Sequence, residues 1–87
     1  MRLSKAEFEA FKNFLAYEHP VCQICGQAPS DEPHHVKFGR YGADKDDRKI
    51  IAVCRACHQW CYAHKHESIE KYERLADENW ANFQIQG

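Results

Sequence analysis

The first hydrophobic stretch of the chain repeats with the spacing of an α-helix. Phe8, Phe11 and Leu15 recur at three- and four-residue steps, which predicts a helix over about residues 4–17. Ser4, with a glutamate three residues later, has the form of a capping box, in which both side chains satisfy free backbone N–H groups of the first turn. We therefore expect an amphipathic helix whose aromatic face packs into the core.

A second helical pattern lies near the other end of the chain. Apolar residues again recur at three- and four-residue steps, with charged residues between them, so a helix is predicted over about residues 67–82. The apolar positions are Ile69, Tyr72, Ala76, Trp80 and Phe83. We expect this face to pack on the first helix and on the back of the segment that carries the paired cysteines, residues 22–57.

Between the two helices the pattern changes to short apolar segments separated by polar loops. Residues 35–38 and 50–53 contain β-branched or aromatic side chains and are predicted to be strands. Turn-forming residues fill positions 26–33, and polar, glycine-bearing residues fill positions 39–47, so both are predicted loops. A short helix is predicted to start near Arg55, directly after the second strand.

The composition suits one small soluble domain over residues 1–87. A chain of 87 residues, 44% apolar and 29% charged, cannot bury a large core, so a cross-link such as a metal ion is expected to stabilise the fold. With a net charge of −1, the chain has no overall positive charge that would attract nucleic acid. No apolar run approaches the length of a membrane span. Five cysteines without a recognisable signal peptide predict reduced thiols that hold metal, and the expected compartment is the cytoplasm.

The cysteines show the spacing of a zinc site. Cys22 and Cys25 form one C-x2-C motif, and Cys54 and Cys57 form a second one. Each motif supplies two of the four sulfurs of a tetrahedral site, so the four thiolates are predicted to bind one structural Zn2+. A zinc ion with four protein ligands has no open position for catalysis. Cys61 is expected to be a small buried side chain rather than a ligand.

Three histidines lie within or beside this cysteine frame. His34 and His35 are neighbours at the edge of a predicted strand, where successive side chains point to opposite faces. His58 directly follows the last cysteine of the second motif. One histidine of the pair, together with His58, can therefore hold a divalent ion, while the other serves as a general base. This division of roles is suited to phosphodiester hydrolysis.

In combination these motifs resemble the HNH endonucleases with a ββα-metal core, in particular the small zinc-stapled members from phages and prophages. The resemblance covers residues 22 to about 66. It rests on a C-x2-C-G motif, a His-His pair, a glycine-bearing loop and a C-x2-C-His motif. It implies that His34 and His58 bind the catalytic metal and that His35 is the general base activating water. The four cysteines match the structural zinc ligands of the family, and the implied substrate is DNA.

The predicted fold is therefore α+β: a small zinc-stapled ββα-metal core of HNH or treble-clef type over residues 20–66, flanked by N- and C-terminal helices. Besides the structural Zn2+, the expected catalytic ion is Mg2+ or Mn2+, with Zn2+ and Ni2+ as further candidates.

Basic residues cluster in the same segment as the histidines. Those expected to contact phosphate are Lys37, Arg40, Arg48, Lys49 and Arg55. The resembled family often has Asn near position 49, where it orients the base. A lysine cannot accept a hydrogen bond as an amide does, so the orientation of His35 must come from the backbone or another side chain. Three acidic residues of the preceding loop are expected to serve solubility: Asp44, Asp46 and Asp47.

Two other classes of function are compatible with the same residues. The first is a catalytically inactive zinc module that binds nucleic acid or protein within a phage-type assembly, which Lys49 and the near-neutral charge favour. The second is a structural accessory domain of a packaging or recombination assembly. A metal titration separates the enzyme from the inactive module, because the module needs one tight zinc ion and no second site.

Overall fold

The order of helices and strands confirms the predicted α+β class. The computed structural model of the chain describes residues 3–36 and 47–86. Within these parts, one helix precedes a two-stranded antiparallel sheet and two helices follow it. The elements are α1 Lys5–Glu18, β1 Glu32–His35, β2 Ile50–Val53, α2 Arg55–Ala63 and α3 Lys65–Gln86.

Helix α1 begins and ends within one residue of its predicted bounds. The Ser4 hydroxyl accepts a hydrogen bond from the backbone N–H of Glu7 (3.2 Å), as a capping box requires. The Glu7 carboxylate accepts a hydrogen bond from the Ser4 hydroxyl (3.1 Å) rather than from a backbone N–H. At the other end, the N–H of His19 still donates to the Leu15 carbonyl, and Pro20 then stops the helix.

Strand β2 has its predicted bounds, whereas β1 begins three residues earlier than predicted. In β1, Glu32 pairs with Val53 and His35 pairs with Ile50. Residues 37–46 lie outside the described parts, so the predicted strand end at Phe38 and most of the predicted 39–47 loop stay predictions. The loop prediction for residues 26–33 is wrong at its last two positions, which belong to β1.

Pro33 explains why the sequence pattern misplaces the start of β1. Proline lacks an N–H group and usually predicts a loop, yet here it pairs with Ala52. Both backbone groups of Ala52 point away from β1: its N–H donates to Gln23 Oε1 (2.9 Å), and its carbonyl accepts from Gln23 N–H (2.8 Å). Pro33 therefore occupies a pair that exchanges no ladder hydrogen bonds, and its missing N–H costs no bond.

Strand β2 is buried along its whole length and separates two hydrophobic clusters. Ile51 and Val53 belong to one cluster with Cys22, Cys54 and other residues around the cysteines. Ile50 and Ala52 belong to the second cluster with Phe11 and Leu15 of α1. Because alternate side chains of a strand point to opposite faces, this one strand supports the cysteine frame on one side and α1 on the other.

Helix α3 covers both clusters and so joins the two ends of the chain. Ile69, Tyr72, Leu75 and Ala76 pack in the cluster around the cysteines. Further along the helix, Trp80 and Phe83 pack against Phe11 in the second cluster, with ring centroids 5.2 and 5.0 Å from its ring. The predicted packing of this helix on α1 and on the cysteine frame is confirmed. In the described parts of the chain, no helix combines the length and the apolar character that crossing a membrane requires.

Candidate metal centre and histidine cluster

The first cysteine pair lies on a tight turn between α1 and β1. Cys22 donates its N–H to the carbonyl of Ala28 (2.8 Å), and Gly26 donates to the carbonyl of Cys22 (3.0 Å). Gly26 has a φ of 65°, which is the left-handed region that glycine adopts most easily. The turn therefore directs Cys22 and Cys25 to the same side.

The second cysteine pair lies where β2 passes into α2. Cys54 is the residue before the helix, and its carbonyl accepts the first helical hydrogen bond, from the N–H of His58 (2.9 Å). Cys57 follows in the first turn. A strand end thus delivers one sulfur and a helix start delivers the other, with His58 beside them.

The four sulfurs form one cluster. The Sγ atoms of Cys22, Cys25, Cys54 and Cys57 all lie within 4.8 Å of one another, and those of Cys25 and Cys54 are 3.9 Å apart. A tetrahedral zinc ion with Zn–S bonds of about 2.3 Å needs sulfurs about 3.8 Å apart. The donor set and its spacing therefore fit a structural metal ion such as zinc.

The electrostatics of the cluster also fit a cation. Burial alone raises the pKa of Cys22, but hydrogen bonds from backbone N–H groups, including that of Ile24 at 3.4 Å, lower it to about 6. Burial and the neighbouring thiols raise the pKa of Cys57 above its usual range. Four negative sulfurs at these distances repel one another, so a cation among them is needed to hold all four as thiolates.

Cys61 is a buried thiol outside this cluster, as predicted. Its side chain is fully buried, and burial followed by the charge of Cys22 raises its pKa to about 11. In residues 3–36 and 47–86, the four clustered cysteines are the one group of three or more Cys, His, Asp or Glu side chains whose ligand atoms converge this closely.

His34 and His58 lie next to each other on the α2 side of the sheet. Their ring centroids are 5.0 Å apart, and the ring planes are inclined at 65°. His34 is 3% exposed, and its Nε2 is buried without a hydrogen-bond partner in the described parts of the chain. Burial, together with the neighbouring histidines, lowers the pKa of His34 to about 4. At neutral pH this ring is therefore uncharged and has an electron pair available for a ligand.

Glu32 is a neighbour of His58 that the sequence pattern did not single out. His58 donates from Nδ1 to Glu32 Oε2, and Arg55 Nε lies 3.6 Å from Glu32 Oε1. The hydrogen bond from His58 holds the pKa of Glu32 below its usual range. A carboxylate on Nδ1 leaves Nε2 of His58 as the ring atom with a free electron pair, which is the usual arrangement of a metal-binding histidine.

His35 points to the other face of β1, as the alternation of a strand predicts. Its Nε2 lies 2.9 Å from Asp47 Oδ1, and its ring lies 5.5 Å from that of Phe8 in α1. Asp47 is 8% exposed, and its other carboxylate oxygen accepts a hydrogen bond from Leu3 N–H (2.9 Å). The expectation that Asp47 serves solubility is wrong, because this side chain is buried and both of its oxygens are bonded.

The basic residues expected to contact phosphate have different surroundings. Lys49 Nζ lies 2.5 Å from Asp77 and 3.3 Å from Glu73, both on α3, and the hydrogen bond with Asp77 raises its pKa. Arg55 is exposed beside Glu32, and Arg48 is half-buried. Lys37 and Arg40 lie outside the described residues. Lys49 thus already contacts two carboxylates, whereas phosphate binding by all five residues stays a prediction.

The site therefore consists of a cysteine cluster and two histidine environments that share β1. One holds His34, His58 and Glu32, and the other holds His35 and Asp47. A comparison of the chain with protein-family models, with curated proteins and with solved structures finds no match in any of the three.

Proposed function

We propose that the chain is a metal-dependent endonuclease of the HNH type that hydrolyses phosphodiester bonds in DNA. The buried, unpartnered Nε2 of His34 carries this proposal. A buried polar atom without a hydrogen bond is costly, and a bound ion or water is the usual reason that such an atom persists. His58 lies beside it, with ring centroids 5.0 Å apart, and its Nδ1 is bonded to Glu32, so Nε2 is the nitrogen that His58 would offer as a second ligand.

In this proposal the four clustered cysteines would hold a structural zinc ion, which would join the turn after α1 to the start of α2. His34 and His58 would hold the second, catalytic ion through Nε2. Imidazole ligands suit Mn2+, Ni2+ and Zn2+ better than Mg2+, which prefers oxygen, so phosphate oxygens would supply the remaining ligands for a harder ion. When bound, a divalent ion stabilises the charge that develops on the phosphate and on the leaving oxygen.

His35 acts as the general base and takes a proton from the attacking water. Because His34 and His35 lie on opposite faces of β1, the substrate phosphate must approach across the end of the strand to meet both side chains. The exposed Arg55, beside Glu32 and His58, supplies positive charge for a neighbouring phosphate. These features support a small ββα-metal core of HNH type within the observed α+β fold.

The test is a plasmid-nicking assay on protein purified without chelator, with Mg2+, Mn2+, Ni2+, Zn2+ or EDTA. His35→Ala should lower cleavage by about 100-fold or more while the zinc content and the circular dichroism stay unchanged. His66→Ala is the matched control, because His66 is exposed on α3. Cleavage by His35→Ala at the wild-type rate would show that His35 is not the base.

A second candidate function is a catalytically inactive zinc module that binds nucleic acid or protein. Two observations favour it. Among the described residues, only the four cysteines bring three or more potential metal ligands together. Lys49, one of the residues expected to contact phosphate, is already paired with Asp77 and Glu73. A folded protein that holds one zinc ion and shows no cleavage with any of the four metals would support this function over the nuclease.

A further inference from the structure

The carboxylate of Asp47 is held between two parts of the chain that are distant in sequence. Its Oδ1 lies 2.9 Å from Nε2 of His35, and its Oδ2 accepts the N–H of Leu3 at 2.9 Å, just before α1. Residue 47 is 8% exposed, so water competes little for these oxygens. Both contacts fix the carboxylate, and the carboxylate in turn fixes the edge of the His35 ring.

This contact determines which ring nitrogen of His35 carries the proton. An ionised carboxylate only accepts hydrogen bonds, so the neutral imidazole must donate from Nε2. The electron pair then lies on Nδ1, the nitrogen that Asp47 does not cover. Phe8 packs on the same ring and limits its rotation. A base needs its free electron pair held in a fixed direction, and Asp47 and Phe8 together fix the orientation of the ring.

We infer that Asp47 is a positioning residue that holds His35 as the Nε2–H tautomer, with Nδ1 free to take the proton from water. The inference rests on the proposed role of His35 as the general base. Asp47 takes the place of the missing amide at position 49, because Lys49 contacts Asp77 and Glu73 on α3. The contact with Leu3 makes the start of α1 part of the support for the base.

A purely structural role for Asp47 is the rival explanation, since the same carboxylate also ties residue 3 to the segment before β2. Asp47→Asn separates the two roles. Its amide oxygen can still accept the Leu3 N–H, whereas its NH2 group, facing His35, donates instead of accepting. The variant therefore keeps the fold but reverses the tautomer, which leaves a proton on Nδ1 and removes the free electron pair from the position where it is needed.

The experiment measures the ring nitrogens of His35 by 15N NMR at alkaline pH and cleavage by plasmid nicking. The wild type, Asp47→Asn and the exposed matched control Asp31→Asn are compared, and His35→Ala assigns the signals. We expect protonated Nε2 in the wild type and in Asp31→Asn, and protonated Nδ1 in Asp47→Asn. The turnover number of Asp47→Asn should fall about 100-fold or more with little change in KM and unchanged zinc content.

Protonated Nδ1 in the wild type, or an unchanged tautomer in Asp47→Asn, would overturn the inference. If Asp47→Asn does not fold, the wild-type spectrum still tests the tautomer, and protonated Nδ1 there would overturn the inference by itself. The proposed function fails separately: if the wild type cleaves no DNA with any metal, or His35→Ala cleaves normally, the base is misassigned whatever the tautomer is.

Discussion

The side-chain amides of Gln23 and Asn79 form two reciprocal hydrogen bonds, 3.1 Å from Gln23 Nε2 to Asn79 Oδ1 and 2.9 Å from Asn79 Nδ2 to Gln23 Oε1. Gln23 belongs to the first cysteine turn, and Asn79 belongs to α3. Asn79 Nδ2 also donates to the carbonyl of Ile50 (3.1 Å), and Ala52 N–H donates to Gln23 Oε1. This amide pair, of which Asn79 is buried and Gln23 is half-buried, therefore ties the cysteine turn, β2 and α3 together with directional bonds.

Replacing Asn79 by Ala should destabilise the zinc-loaded protein by about 1–3 kcal/mol, because Gln23 Nε2 and the Ile50 carbonyl then lose a buried partner. Urea unfolding of the wild type and the variant measures the difference. Asn82→Ala is the matched control on the exposed face of the same helix, and it should change the free energy of unfolding by less than about 0.5 kcal/mol. Equal losses in the two variants would mean that the amide pair contributes nothing specific.

Removal of one zinc ligand should unfold the chain. The cysteine cluster joins the turn after α1 to the start of α2, and a chain of 87 residues has a small core. Cys57→Ser, or an excess of chelator on the wild type, should therefore abolish bound zinc and the cooperative thermal transition seen by circular dichroism. Cys61→Ala tests whether a cysteine outside the cluster matters equally.

The Cys61→Ala variant should keep one zinc ion per chain, although it loses stability through the cavity that the buried sulfur leaves. Metal content by inductively coupled plasma mass spectrometry gives this number directly. Zinc retention by Cys57→Ser, or zinc loss by Cys61→Ala, would show that the wrong cysteines have been assigned to the metal.

In the proposed nuclease, replacing Lys49 by Gln should leave DNA cleavage largely unchanged, because Lys49 is already paired with Asp77 and Glu73, and Asp47 is the side chain that contacts His35. Stability should fall by about 1 kcal/mol or less, since partly exposed ion pairs contribute little. The raised pKa of Lys49 means that its pairing with Asp77 stabilises the fold throughout the neutral range. This contribution is lost only as the pH rises above the ordinary lysine pKa of about 10.4, so the two proteins should converge there.

Arg74→Gln is the control for this comparison. Arg74 is 93% exposed and forms a surface pair with Glu78, 3.7 Å away, on the same helix. Urea titrations at neutral and strongly alkaline pH, with nicking assays at neutral pH, compare the two variants. A loss of cleavage in Lys49→Gln without a loss of stability would mean that Lys49 contacts DNA or the base after all.

The sequence predicts those parts of the fold that depend on neighbours along the chain. The cap at Ser4 and the apolar residues of α3 act within one or two turns, so a periodic pattern reveals them. The start of β1 was missed because the pairing of Pro33 is tolerated only through the contacts of Ala52 with Gln23. The roles of Glu32 and Asp47 could not be predicted from neighbouring residues either, because their partners His58 and His35 are 26 and 12 residues away in the sequence.

Glu32→Gln tests the site formed by His34 and His58. The carboxylate accepts a hydrogen bond from Nδ1 of His58, which orients the ring and makes its other nitrogen a better ligand. Loss of the negative charge should weaken binding of a second divalent ion by about 10–100-fold and lower cleavage to a similar extent. Zinc at the four cysteines should be unaffected, because Glu32 is not part of that cluster.

Calorimetric titration of the zinc-loaded protein with Mn2+ or Ni2+ measures this second ion, and Asp31→Asn, at the exposed neighbouring position, is the matched control. The control should bind and cleave as the wild type does, because Asp31 is exposed to solvent. If Glu32→Gln binds the second ion as tightly as Asp31→Asn, the contact with His58 is structural and does not tune a metal ligand. A wild-type protein that takes up no second ion would instead remove the catalytic role of His34 and His58, and it would leave the zinc module as the better account of the chain.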